Sequence, residues 1–158
     1  MSSLIIGATG VLGSALHKLI PDTYAPTRKE YDLTDDPSSL PTVATAYLCA
    51  GTKGHQACEG NQAVFQSDVD GNIRLAKSLL KRGTFVVFVS SDAVEWWNSA
   101  YSRNRLLVEM ALIMQPNVAI VRPGRFDGRN VGELAFFCRS VGHNRIEGVH
   151  YWVPPLTA

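Results

Sequence analysis

No charge of either sign dominates this chain. Fifteen Lys and Arg stand against 14 Asp and Glu in 158 residues, a formal net charge of +1. Without a basic excess or a basic run there is no field to gather nucleic acid or an anionic membrane, so neither is expected as a partner. Long hydrophobic runs are missing too. The apolar stretches, such as 85–89, are far too short to span a bilayer. The apolar run at 4–6 is too brief for a signal peptide and has no basic segment before it, so a cytoplasmic protein is expected. Cysteine is sparse: Cys49, Cys58 and Cys138 are odd in number and have no ligand spacing. His17, His55, His143 and His150 are scattered. Reduced, mostly buried thiols are expected, and a metal centre is not. No repeat or low-complexity segment is visible.

What is present is an ordinary globular balance, 46% apolar and 18% charged, in a length that suits one domain over 1–158. Short apolar runs alternate with helical stretches. Strands are expected at 3–6, weakly at 23–27, and at 44–50, 84–89, 118–122 and 150–153. Helices are expected at 11–20, in a short form at 34–40, then at 61–81, 101–114 and 133–141, several of them stopped by Pro or Gly. The run Thr84-Phe85-Val86-Val87-Phe88-Val89 reads as a strand covered on both faces. Strand alternating with helix implies an α/β, Rossmann-type doubly wound parallel sheet. Ligands of such sheets sit at the carboxyl ends of the strands.

The strongest motif is Gly7-Ala8-Thr9-Gly10-Val11-Leu12-Gly13, directly after an apolar strand and opening a helix. One glycine permits the tight turn. Another lets backbone amides approach a pyrophosphate, and the third lets helix and strand pack closely. The helix start adds unpaired N–H groups and a positive dipole end. The motif therefore predicts a bound dinucleotide, with Gly7, Thr9, Gly10, Val11, Leu12 and Gly13 around its phosphates.

With its G-x-x-G-x-x-G spacing the chain resembles the extended and atypical short-chain dehydrogenase/reductases. Further phrases carry the likeness along nearly the whole chain. Asp32-Leu33-Thr34-Asp35 resembles the acidic element after the second strand, which implies that Asp32 and Leu33 meet the adenine. Cys49-Ala50-Gly51 stands at the small-residue turn after the third strand. Asp68-Val69-Asp70-Gly71-Asn72 is similar to the family's N-V-x-G-T phrase, and Ser90-Ser91-Asp92 to its catalytic-serine strand end. Arg122-Pro123-Gly124 is similar to the turn beside the nicotinamide, which implies a cofactor contact for Pro123. The phrases at 27–36 and 90–94 look most like 4-keto-rhamnose reductases and GDP-fucose synthases. The chain ends soon after its sixth strand, so the family's large C-terminal substrate lobe is not expected within it.

At the end of the second strand the chain offers Thr27-Arg28-Lys29 rather than an acidic residue. A guanidinium suits a ribose 2′-phosphate, so NADP is expected, with Arg28 as the main contact and NAD as the alternative. Family chemistry implies a Ser-Tyr-Lys group; here the corresponding trio is Ser91, Tyr101 and Arg105. Tyr101 and Arg105 share one helix face at i and i+4. Arginine keeps the charge but cannot enter a proton relay. The resemblance implies hydride transfer between NADPH and a sugar-like or other small ketone. Two further readings stay open: a non-catalytic dinucleotide-binding sensor or subunit, and a halohydrin-dehalogenase-like Ser-Tyr-Arg chemistry, which the intact glycine loop disfavours. Trp96 and Trp97 line a substrate pocket or a partner surface or, more simply, form a loop plug over the sheet edge. Arg122 and Arg125 bind a substrate anion or form structural ion pairs. Likeness to the family also implies a homodimer through the helices starting near 61 and 101.

Overall fold

The computed structural model describes residues 2–52, 55–96 and 98–155. Six strands, β1 (Ser3–Ile6), β2 (Thr23–Tyr24), β3 (Thr45–Leu48), β4 (Phe85–Val89), β5 (Val118–Pro123) and β6 (Gly148–Trp152), form one sheet. Every pairing is parallel and the order is β2-β1-β3-β4-β5-β6. This is the doubly wound Rossmann-type arrangement. The chain leaves β1 to one side for β2 and returns to the other for β3, so the order reverses beside β1, where a crevice opens.

The central strands are apolar on both sides because both sides are covered. In β1, Leu4 and Ile6 face one way and Ile5 the other; in β4, Val86 and Phe88 oppose Phe85, Val87 and Val89. One face packs against the helices α4 (Asn72–Lys81) and α5 (Ala100–Leu112) through Leu75, Leu79, Val108 and Leu112. The other packs against α1 (Val11–Leu19) and α6 (Val131–His143) through Leu16, Leu134, Ala135 and Cys138.

Several boundaries differ from the sequence reading. The second strand is two residues long, because β2 is an edge and the chain turns away at Ala25-Pro26. The short helix expected at 34–40 is one 3-10 turn, Pro37–Ser39, held by Asp36 accepting from the Ser38 N–H. A four-residue helix, α2 (His55–Cys58), was not anticipated; it lacks the length that periodicity needs. The long helix over 61–81 forms, but as α3 (Gln62–Phe65), a π-helical turn (Gln66–Gly71) and α4. The widened turn brings Gly71 against the Leu33 carbonyl so closely that a Cβ there would overlap it. That approach is the physical content of the Asp68–Gly71 phrase. Among the described residues no helix is long and apolar enough to cross a membrane, and no His, Cys, Asp and Glu cluster suits a metal ion.

Candidate functional site

The glycine loop folds as its spacing requires. Gly7 has φ +92, and a Cβ on it would meet Ala50 N at 2.7 Å, so both the turn and the neighbouring β3 loop demand glycine. A Cβ on Gly13 would overlap the Gly7 carbonyl oxygen, which is the close packing of α1 on β1. Gly10 is different. Its φ of −77 and ψ of 174 suit any residue, and the nearest atom to a Cβ is the Gly7 oxygen at 3.5 Å. The protein's own packing does not require glycine there; the bare backbone opens towards the cleft. Gly10 is the N-cap of α1 and no side chain caps the helix. The N–H groups of its first turn therefore point outward with the positive end of the helix dipole.

These groups border a cleft of about 370 Å³ at the carboxyl ends of β1 and β3. It is lined from the loop side by 6–10, from the β2 side by Pro26, Arg28, Tyr31, Asp32 and Leu33, and from the β3 side by 49–52 with Ser67 and Asp68. Of the sequence-predicted cofactor residues, Gly7, Thr9, Gly10, Arg28, Asp32, Leu33, Cys49, Ala50 and Gly51 are brought to this one cleft. Val11, Leu12 and Gly13 form the helix start beside it. Pro123 ends β5, three strands away from β1.

Arg28 reaches into solvent and its Nε donates to Asp32 Oδ2 at 2.8 Å. That bond, with the N–H and hydroxyl of Thr34 donating to Oδ1, holds the Asp32 carboxyl down at about 2. Asp68, buried, accepts from the Thr52 N–H at 2.8 Å and ties the β3 loop to the π turn. Tyr31 lines the cleft with a buried hydroxyl that has no hydrogen-bond partner among the described residues. Burial pushes its phenol up to about 12, so it stays protonated. Sequence reasoning missed Tyr31, Thr52 and Asp68 as cleft residues. Only Asp68 had a signal, within the resemblance to the N-V-x-G-T phrase.

The trio lies at the next strand ends. Ser91 follows β4 and caps a 3-10 turn, Asp92–Glu95, by accepting from the Ala93 N–H; its own O–H remains to donate. Tyr101 and Arg105 lie in the first two turns of α5, which opens with a Ser99/Ser102 capping box. The Arg105 guanidinium carbon is 5.6 Å from the centre of the Tyr101 ring and 5.8 Å from that of Phe88. Its Nη1 donates to the Val89 carbonyl at 3.4 Å. The guanidinium fills the space beside Gly51, where a Cβ would strike it. Arg105 thus links Tyr101 to the loop that borders the cleft.

A polar chain that runs from the buried Glu109 out to the surface, missed by sequence reasoning, braces this region. Glu109, 1% exposed, accepts from Ser90 Oγ at 2.5 Å and from Arg122 Nη2 at 2.5 Å. Arg122 also donates to the Tyr151 hydroxyl, and Tyr151 donates to Glu95 at 2.7 Å. Of the two roles open to Arg122, the structure shows the ion pair. The only sequence signal for Glu109 was its place one helical turn beyond Arg105. Arg125 is exposed beyond β5. Trp96 is 62% exposed at the end of the 3-10 turn, rather than packed down as a plug over the sheet edge. Trp97 lies outside the described residues.

The sheet order, the reversal beside β1 and the glycine-loop crevice define a Rossmann-type fold. The structural neighbours include dTDP-4-dehydrorhamnose reductases and short-chain dehydrogenase/reductase proteins. One is the dTDP-4-dehydrorhamnose reductase of Bacillus anthracis, solved in complex with NADP: TM-score 0.85, 18% identity, 99% of this chain and 76% of that one covered. Another is a hypothetical dTDP-4-dehydrorhamnose reductase of Sulfolobus tokodaii, at TM-score 0.83 and 17% identity, covering 96% and 76%. A short-chain dehydrogenase/reductase of Vibrio parahaemolyticus aligns at TM-score 0.72 and 16% identity over 96% of this chain and 99% of its own. No protein-family model and no curated protein matches the chain.

Proposed function

We propose that this chain is an NADP(H)-dependent oxidoreductase acting on a sugar-like or other small ketone. The observation that carries the proposal is the uncapped start of α1, opened by Gly10 onto a cleft that also presents Arg28. The orphaned Tyr31 hydroxyl in that cleft fits a polar ligand edge, and the NADP in the Bacillus anthracis neighbour supports the choice of cofactor. When bound, the cofactor supplies or accepts hydride at the substrate carbonyl carbon. The backbone N–H groups at 11–13 hold its pyrophosphate and Arg28 its 2′-phosphate. Asp32 and Leu33 flank the adenine, 49–51 border the middle of the molecule, and Pro123 borders the nicotinamide.

Ser91 hydrogen-bonds the substrate oxygen and Tyr101 gives it a proton. Arg105 sets a permanent charge beside the Tyr101 ring; since it cannot release a proton, Tyr101 must regain its own from solvent. The three free thiols suit a reducing, cytoplasmic setting. Leu107 and Met110 on α5 and Met114 just beyond it are exposed at helical spacing, and we assign them to a homodimer contact. Sedimentation equilibrium should give twice the chain mass, and a monomer for Met110→Lys.

Titration with NADPH and NADH, followed by turnover with a panel of ketones, tests the reading. Arg28→Ala should lose about tenfold in NADPH affinity, the worth of one or two charge-assisted hydrogen bonds, and leave NADH unchanged. Tyr101→Phe should bind NADPH normally and turn over at least about a hundredfold more slowly. Undiminished turnover in that variant removes Tyr101 as proton donor. Tight NADPH binding with no turnover for any ketone would leave the dinucleotide sensor or subunit instead.

A further inference from the structure

We propose a second site, for a small phosphate- or carboxylate-bearing anion, at the amino ends of β1 and β3. A cleft of about 370 Å³ opens there between the ends of α1 and α6. Ser3 and Thr45 at the strand starts, the apolar Leu19, Ile20 and Pro21, and the basic Arg139, His143 and Arg145 line it. Strands of four residues separate it from the cofactor cleft, about 13 Å along the sheet.

Its lining contains three basic side chains and no acidic one. Asp22 lies beside Pro21 and is engaged by the Ser2 N–H at 3.1 Å. Basic residues at the end of α6 also complement its dipole, but that role asks for nothing more than exposure. The side chains here are more specific. Arg145 is fixed by donating to the Ala44 carbonyl at 3.2 Å and by lying over the Phe85 ring, and most of its donors stay unused. Arg139 rests over Phe136 and donates to no acceptor among the described residues. Tyr47 is the telling group. The residue is 2% exposed and lines the cleft. Gly142 leaves room for that hydroxyl: a Cβ there would come within 2.5 Å of the oxygen. Burial pushes the Tyr47 phenol up to about 12, so the group is a donor at neutral pH. A hydroxyl that lines the same cleft as two guanidinium forks matches the oxygens of a tetrahedral or carboxylate anion.

The test is a titration of the full chain with inorganic phosphate and pyrophosphate, read by amide NMR shifts, which separates the two clefts by position. The expected result is saturable shifts at Thr45, Ser140 and Asn144, with a Kd of about 1 mM that rises with ionic strength. Arg139→Gln, on an exposed side chain, and Tyr47→Phe, which removes one oxygen, should each weaken binding about tenfold without altering the fold. Shifts confined to residues 7–13, shifts that do not saturate, or a Kd unchanged in both variants would overturn the site. None of these outcomes depends on the oxidoreductase reading.

Discussion

Gly13→Ala should unfold the chain at a markedly lower temperature and weaken NADPH binding, whereas Gly10→Ala should weaken binding alone. The two glycines are three residues apart and look equivalent in sequence. At Gly13 the three atoms nearest a Cβ are all backbone, the Gly7 carbonyl O and C and Ala8 Cα, so none of them can swing aside. The start of α1 must lift from β1, an overpacking cost of about 3 kcal/mol. For a domain of this size that lowers the melting temperature by roughly 6–12 °C. At Gly10 the backbone is extended and the nearest atom lies at ordinary contact distance. Alanine there should change stability by less than about 1 kcal/mol. Yet it fills the approach to the first-turn N–H groups, and NADPH affinity should fall at least about tenfold. Thermal denaturation and calorimetry on the two variants decide the matter. A Gly10→Ala protein that binds NADPH as tightly as wild type would remove the helix start from the cofactor site.

The second large effect is expected at Glu109. Its carboxylate is buried and engages both Ser90 and Arg122. Such a pair adds little net stability over an apolar replacement, but breaking it strands a charge. Glu109→Ala leaves the Arg122 guanidinium, 17% exposed, without its partner. The loss should be about 3–5 kcal/mol, a fall of order 10 °C in melting temperature. Glu109→Met combined with Arg122→Met should recover most of that loss. A single variant within 1 °C of wild type, or a double variant no better than the single, contradicts this account. Ser90 adjoins Ser91, and α5 carries Glu109 together with Tyr101 and Arg105. We therefore propose Glu109 as a positioning residue for the trio. Even where Glu109→Gln stays folded, turnover should drop while NADPH affinity holds.

The parts of this chain that could be read without coordinates are those whose causes are local. A run such as 85–89 is apolar on both sides because a covered parallel strand needs it. The glycine spacing encodes a turn, an approach and a packing contact within seven residues of chain. That Tyr101 and Arg105 share one helix face follows from their i, i+4 spacing. Boundaries were less legible where neighbours decide them: β2 stops after two residues at the sheet edge, and a π turn enters the long helix where Gly71 meets Leu33.

Strand order, the meeting of Arg28, Tyr31 and Asp68 in one cleft, the Glu109–Arg122 pair and the basic cleft under β1 and β3 came only with the tertiary structure. Each joins residues far apart in the chain, such as Glu109 with Ser90 or Ala44 with Arg145. Periodicity and turn chemistry act over a few residues. Which distant side chains share a site depends instead on how the crossovers stack the strands.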